Sequence, residues 1–219
     1  RIYKNVNNTW AQIGNDIDGE KVGDSLGYSV SLSADGSVVA IGAPSINGTG
    51  YVRIYKNVNN TWEKIGSDID GRKAGDLSGF SVSLSADGSE VAISTPKIIG
   101  NGTDISHVRI YKNLNNTWEK IGNDIDGEAA GDFSGYSVSL SADGSTVAIG
   151  APLNNGNGNG CVRIYKNVNN IWEKIGSNID GEGPLVGGPG DYSGRSVSLS
   201  ADGSVIAIGA DANDGNGTD

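Results

Sequence analysis

Hydrophobic and polar positions alternate in short runs along the chain, and the runs recur in a fixed order. In "FSVSLS" (80–85) Val82 and Leu84 alternate with serines, the period of a strand with one buried face. The neighbouring runs "EVAIST" (90–95), "VRIYKN" (52–57) and "TWEKIG" (61–66) are short, β-branched or aromatic, and bounded by Asn, Asp and Gly. No segment carries a helical period. The phrase "RIYKN" begins at Arg1, Arg53, Arg109 and Arg163, so the pattern is a repeat with four strands per unit. Asp-Gly in "SADGS" (33–37, 85–89, 141–145, 200–204) predicts a two-residue type I′ hairpin turn, and Asn-Asn before "TWEKIG" predicts another.

A four-stranded unit repeated at this spacing is the signature of a propeller blade, whose two faces must both be buried against neighbours. The expected fold is all-β: a β-propeller of four-stranded antiparallel blades in four repeats, with 1–219 as a single domain. The blade units are about 27–66, 79–122 and 135–176, and the last joins 194–210 with 1–14. On this phase the N-terminal outer strands are expected to pair with the C-terminal inner strands and close a ring. The same phase also fits an arc of a larger propeller, or two chains joined into eight blades.

The run "GYSVSLSADGSTVAIGAP" (135–152) followed by "GCVRIYKN" (160–167) resembles the FG-GAP repeat of integrin alpha subunits and of secreted bacterial and algal proteins. The resemblance spans essentially the whole chain. It implies that Gly27, Gly79, Gly135 and Gly194 begin the innermost strands, and that "GAP" (42–44, 150–152) ends the second. The motif is altered to "STP" at 94–96 and "GAD" at 209–211, and its Phe is Leu26, Ser78, Ser134 or Ser193. The family's calcium loop would lie between the first two strands. There each "SADGS" offers a single carboxylate (Asp35, Asp87, Asp143 or Asp202), far short of the six to eight oxygens calcium takes.

Charge narrows the function. A net charge of −10 argues against phosphate-backbone binding, which needs clustered Lys and Arg, so nucleic acid is not an expected partner. No apolar run reaches the ~20 residues of a membrane-spanning helix. With no methionine, the chain is expected to be processed or cut from something longer. The lone Cys161 excludes an internal disulfide and is expected to be a half-buried filler.

The candidate chemistry lies in the acidic segments "NDIDGEKVGD" (15–24), "SDIDGRKAGD" (67–76), "NDIDGEAAGD" (123–132) and "SNIDGEGPLVGGPGD" (177–191). The richest copies offer Asp16, Asp18, Glu20, Asp24 and Asp124, Asp126, Glu128, Asp132 as ligands for Ca2+. Against this stands the heavier reading, that Asp and Gly supply Asx turns and capping bonds in a connection. The fourth copy's insertion, with Pro184 and Pro189, is expected to be tolerated rather than functional. One tryptophan per repeat (Trp10, Trp62, Trp118, Trp172) suits either sugar stacking or interblade packing, and packing is expected. Arg195 replaces the aromatic of Tyr28, Phe80 and Tyr136 and is expected to reach solvent. His107, the only histidine, has no nucleophile near it in sequence, so no catalytic site is expected. Sequons at Asn7, Asn47, Asn59, Asn101, Asn115 and Asn216 carry little weight in so Asn-rich a chain.

The expectation is a secreted or cell-surface, non-catalytic binding or adhesion module whose partner is a protein or polysaccharide, with self-association open. The alternatives are a lectin, which needs exposed tryptophans, or a repeat unit of an extracellular filament or coat.

Overall fold

The computed structural model describes residues 1–45, 48–96, 105–154, 158–182 and 190–213. Every regular element among them is a β-strand. The chain opens with a two-stranded sheet, β1 (Tyr3–Val6) and β2 (Thr9–Gln12). The first full blade runs β3 (Ser29–Leu32), β4 (Val38–Ala43), β5 (Tyr51–Val58), β6 (Thr61–Lys64), with β7 (Ile69–Asp70) also paired to β5. The second is β8 (Val82–Leu84), β9 (Glu90–Thr95), β10 (His107–Leu114) and β11 (Thr117–Asp126). The third is β12 (Ser137–Leu140), β13 (Thr146–Ala151), β14 (Cys161–Val168) and β15 (Ile171–Lys174), with β16 (Ile179–Asp180) on β14. A final hairpin, β17 (Ser196–Leu199) and β18 (Ile206–Gly209), stands as its own sheet. All ladders are antiparallel, and apart from β7 on β5 and β16 on β14 they join consecutive strands, which gives the β-propeller-like architecture.

The alternation in "SVSLS" sets how blades stack. Val82 and Leu84 of β8 enter one core with Val38, Val52 and Ile54 of the preceding blade, and Val138 and Leu140 of β12 enter the next with Val108 and Ile110. The serines on the opposite face bond neighbouring innermost strands together. Ser31 Oγ accepts the Leu84 amide at 3.0 Å, Ser83 Oγ that of Leu140 at 2.9 Å, and Ser139 Oγ that of Leu199 at 2.9 Å. Ser29 and Ser137 Oγ donate to the carbonyls of Gly79 and Gly194, both at 2.8 Å. Small hydroxyls suit the crowded axis, where adjacent backbones approach closely and still need partners. Farther out, the indole N–H groups of Trp62, Trp118 and Trp172 donate to the carbonyls of Ile13, Ile65 and Ile121 on the preceding sheet, at 2.9, 3.0 and 3.1 Å. Tryptophan therefore packs between blades, and the lectin alternative loses the exposed indoles it needs at these three positions.

Three local expectations are corrected. The Asn-Asn turns have positive φ at both residues (52° and 63° at Asn7 and Asn8), as a type I′ turn requires. The "SADGS" turn does not: only its glycine is left-handed, and the loop covers four residues between Ser33 and Val38. The extra length frees an amide for the neighbouring blade, because Ala34 N–H donates to Ala86 O, Ala86 to Ala142 O, and Ala142 to Ala201 O, each at 2.8 Å. The acidic segments are not wholly connections, since Ile69–Asp70 and Ile179–Asp180 extend the blade edge and β11 runs unbroken to Asp126. Finally, the terminal strands do not share a sheet: β1–β2 and β17–β18 remain separate. Serines between the innermost strands and Trp and Ile farther out recur at the interfaces between blades, and the first and last sheets are not paired with each other.

Candidate functional site

Six of the eight carboxylates proposed for calcium are engaged by the fold. The first three "RIYKN" arginines are each followed fifteen residues later by the first acid of the next segment, and the two meet on the blade edge. Arg1 Nε donates to Asp16 at 2.9 Å, and Arg53 holds Asp68 through Nε and Nη2 at 3.0 and 2.8 Å. Arg109 lies 3.4 Å from Asp124, which also takes Lys120 and Arg72 at 2.5 Å each. The hydrogen bond from Arg1 holds the Asp16 carboxyl below the usual range, and that from Arg53 does the same for Asp68. Burial pushes Asp124 up, but the Lys120 bond and the arginine charges outweigh it.

The third acid crosses to the next blade. Glu20 pairs with Arg53 at 2.6 Å and Glu128 with Arg163 at 3.0 Å. The fourth folds the segment back on itself. Asp24 accepts the amides of Glu20, Lys21 and Leu26 at 3.0, 3.3 and 3.2 Å, and Asp132 accepts those of Glu128 and Ser134 at 3.0 Å. Where Asn178 replaces the expected Asp, Arg163 keeps the crossing Glu128 and also lies 3.5 Å from Asp132. Asp18 and Asp126 are exposed. Among the described residues, no three His, Cys, Asp or Glu side chains are placed to hold a metal ion. The structural reading of these segments accounts for the geometry, and the ion pairs add a role for the arginines that was overlooked in the sequence. The fixed separation of fifteen residues was the signal that could have found them.

The position preceding each Val-x-Ile/Tyr core holds Tyr51, His107 or Cys161. Tyr51 donates to Asp24 at 2.9 Å, and burial followed by this bond pushes its hydroxyl up to about 12. Cys161 is fully buried rather than half-buried, with Asn154 Nδ2 at 3.1 Å from Sγ, and burial pushes the thiol up. His107 is buried with Nε2 against the Arg109 guanidinium, and burial, then that charge, lowers its pKa to about 4. The neutral ring is the folded form, while an unfolded His takes its proton near pH 6.5. The stability it contributes is complete above about pH 6.5 and is lost as pH falls towards 4. Replacing His107→Tyr, the residue of the first copy, is expected to remove roughly 2 kcal/mol of the stability loss between pH 6.5 and 5. Urea unfolding at the two pH values measures this; an unchanged loss counts against it.

One feature differs from blade to blade and faces solvent. Tyr28, Phe80 and Tyr136 each precede an innermost strand, and their rings form a row with centroids 5.0 and 5.1 Å apart. Arg195 continues the row with its guanidinium 5.7 Å from the Tyr136 ring centroid, and it pairs with Asp211 at 3.2 Å. It therefore reaches solvent, as expected, but from within the aromatic row. The row is held rigidly: Ser25, Leu77, Phe133 and Tyr192 carry left-handed φ of 54–57°, and the turn closes through amides at 28, 80, 136 and 195. Asn47, Asn101, Asn216, Pro184 and Pro189 lie outside the described residues.

No family model and no curated protein sequence matches the chain. Among solved structures it is similar to a 6-phosphogluconolactonase-like protein of Bacteroides uniformis, with TM-score 0.56 and 15% identity over 91% of this chain and 52% of that one. A second such protein, from Bacteroides fragilis, gives 0.51 and 14% over 82% and 40%. Hydrazine synthase of Kuenenia stuttgartiensis gives 0.50 and 14% over 89% and 45%. The chain thus spans about half the length of the structures it matches, and at these identities the likeness shows that it shares their fold.

Proposed function

We propose that the chain is a non-catalytic binding module, an extracellular adhesion-type propeller of FG-GAP character, whose contact face carries Tyr28, Phe80, Tyr136 and Arg195. The observation behind this reading is that row: contiguous, partly exposed rings and a cation on rigid backbone, so contact area is offered at little entropic cost. The face also collects the variation between otherwise matching repeats. Segments 44–50, 96–106, 152–160 and 182–191 differ in length and sequence, and the described strand ends that flank them lie on the side of the row. The groups that chemistry would need, His107, Cys161 and the acids beside the arginines, are committed to packing or ion pairs. The partner is an extracellular protein or polysaccharide.

Screening the chain against a glycan array and a panel of extracellular proteins identifies binders. The double variant Phe80→Ala, Tyr136→Ala is then expected to weaken the binding at least about tenfold with unchanged circular dichroism. Binding that survives this variant but is abolished by changes at Asp87 and Asp143, on the opposite face, overturns the reading.

A further inference from the structure

We infer that the two open ends of the blade stack are a plug and a socket for each other, and that a second copy of this chain joins them head to tail. The internal interfaces supply the template. Gly14, Gly66 and Gly122 underlie the indoles of Trp62, Trp118 and Trp172 so closely that an added Cβ would lie 2.5, 2.9 and 2.7 Å from Cδ1. Gly176 holds the same place with the same left-handed φ of 73°, yet nothing lies within 4 Å of its Cβ direction. Beside it Ile164, Ile175, Ile179, Leu199, Val205 and Ile206 line an apolar groove of about 360 Å³. At the other end of the chain Trp10, the indole of the first repeat, is 67% exposed.

The inner layer matches equally well. Val38 is 6% exposed in a core with Val82 and Leu84, and a Cβ on Gly88 would lie 2.7 Å from it. At the tail, the equivalent Val205 is 66% exposed. At the head, the equivalents of its partners, Val30 and Leu32, are 64% and 49% exposed, and Gly36 meets nothing. The strand edges fit as well. β4 pairs with β5 through Val38↔Lys56, Val39↔Tyr55 and Ala40↔Ile54, and the repeat puts Val205, Ile206 and Ala207 opposite Lys4, Tyr3 and Ile2 of a second copy. That contact satisfies the free edges of β18 and β1 and completes a four-stranded blade. Charge agrees too: Glu182 and Arg1 occupy the positions of the Glu20–Arg53 and Glu128–Arg163 pairs. Beyond Arg195 the next ring in the row is Tyr28 of the second copy.

The occupant is a second copy because its head carries, repeat for repeat, the residues that the tail positions meet at each internal interface, while the two end sheets of one chain stay unpaired. Each copy contributes three full blades, and two more are shared across identical head-to-tail joints, giving an eight-bladed ring.

Analytical ultracentrifugation of the 219-residue chain at micromolar concentration tests this, with twice the 22.5 kDa chain mass expected. Trp10→Glu and Val205→Glu change residues exposed in the single chain, so each is expected to stay folded by circular dichroism and to sediment at the single-chain mass. Mixing the two variants leaves one joint intact, between the tail of the first and the head of the second, and is expected to restore the two-chain particle. A wild-type chain that stays single, an open series of larger assemblies, or a mixture that fails to associate each overturns the inference.

Discussion

Replacing Trp172 with alanine is expected to destabilise the chain by about 3–5 kcal/mol, the range for removing a buried large aromatic. The same change at Trp10, in solution dilute enough to keep the chain single, is expected to cost less than about 0.5 kcal/mol. The two residues share a motif and differ in surroundings. Trp172 is 4% exposed, packs among Ile149, Val147 and Ile125, and donates its indole N–H to the Ile121 carbonyl. Its loss opens a cavity between two blades and leaves that carbonyl without its partner, so the transfer, cavity and hydrogen-bond penalties fall on one interface. Trp10 meets no preceding sheet within the chain. Since stability in repeat proteins is a sum over units and the interfaces between them, Trp172→Ala is also expected to broaden urea unfolding as the third blade uncouples from the second. Equal costs at Trp10 and Trp172 would refute interblade packing as the role of the repeated indole.

Much of this arrangement was legible in the sequence because repetition multiplies weak signals. A single "TWEKIG" reads as one strand, but four near copies at matching distances from "RIYKN" point to the strand order within a unit. The Asn-Asn turns were readable because a type I′ turn demands two left-handed residues, which few residue types tolerate. The Asp-Gly turn was misread for want of its neighbour: its extra length serves an amide bond from Ala34 to Ala86 in the adjacent blade, and local turn chemistry carries no trace of that. The acidic segments show the same limit. Four carboxylates at cation-binding spacing look like a ligand set until Arg53 and Arg163, distant in sequence, are found between them. The burial of Cys161 was underestimated because its neighbour Asn154 lies on the connection between β13 and β14, where the repeats differ in sequence. Alignment of the copies shows Arg195 in an aromatic's place, but not that the rings form a row with it or that His107 is buried against Arg109.

Asp132→Asn is expected to be among the most damaging single changes at a polar site, at about 3–5 kcal/mol, because it strips charge from a buried pair and keeps the other member. Arg163 and Asp132 are both 1% exposed by side chain, at 3.5 Å, and Asn178, in place of the acid found in the other repeats, gives Arg163 no compensating carboxylate. Glu128, at 3.0 Å but 46% exposed, is screened by water and supplies only part of what is lost. The equivalent Asp24→Asn change is expected to cost only about 1 kcal/mol. Asp24 faces the neutral Tyr51 hydroxyl, and an amide oxygen can still accept from that hydroxyl or from the amides of Glu20 and Leu26. A double change, Asp132→Asn with Arg163→Met, is expected to recover most of the loss, since an apolar side chain of similar length needs no counter-charge. Urea unfolding of the three variants separates the explanations. A double variant no better than Asp132→Asn would assign the cost to the Glu128 and Ser134 amides that Asp132 caps, rather than to the stranded guanidinium.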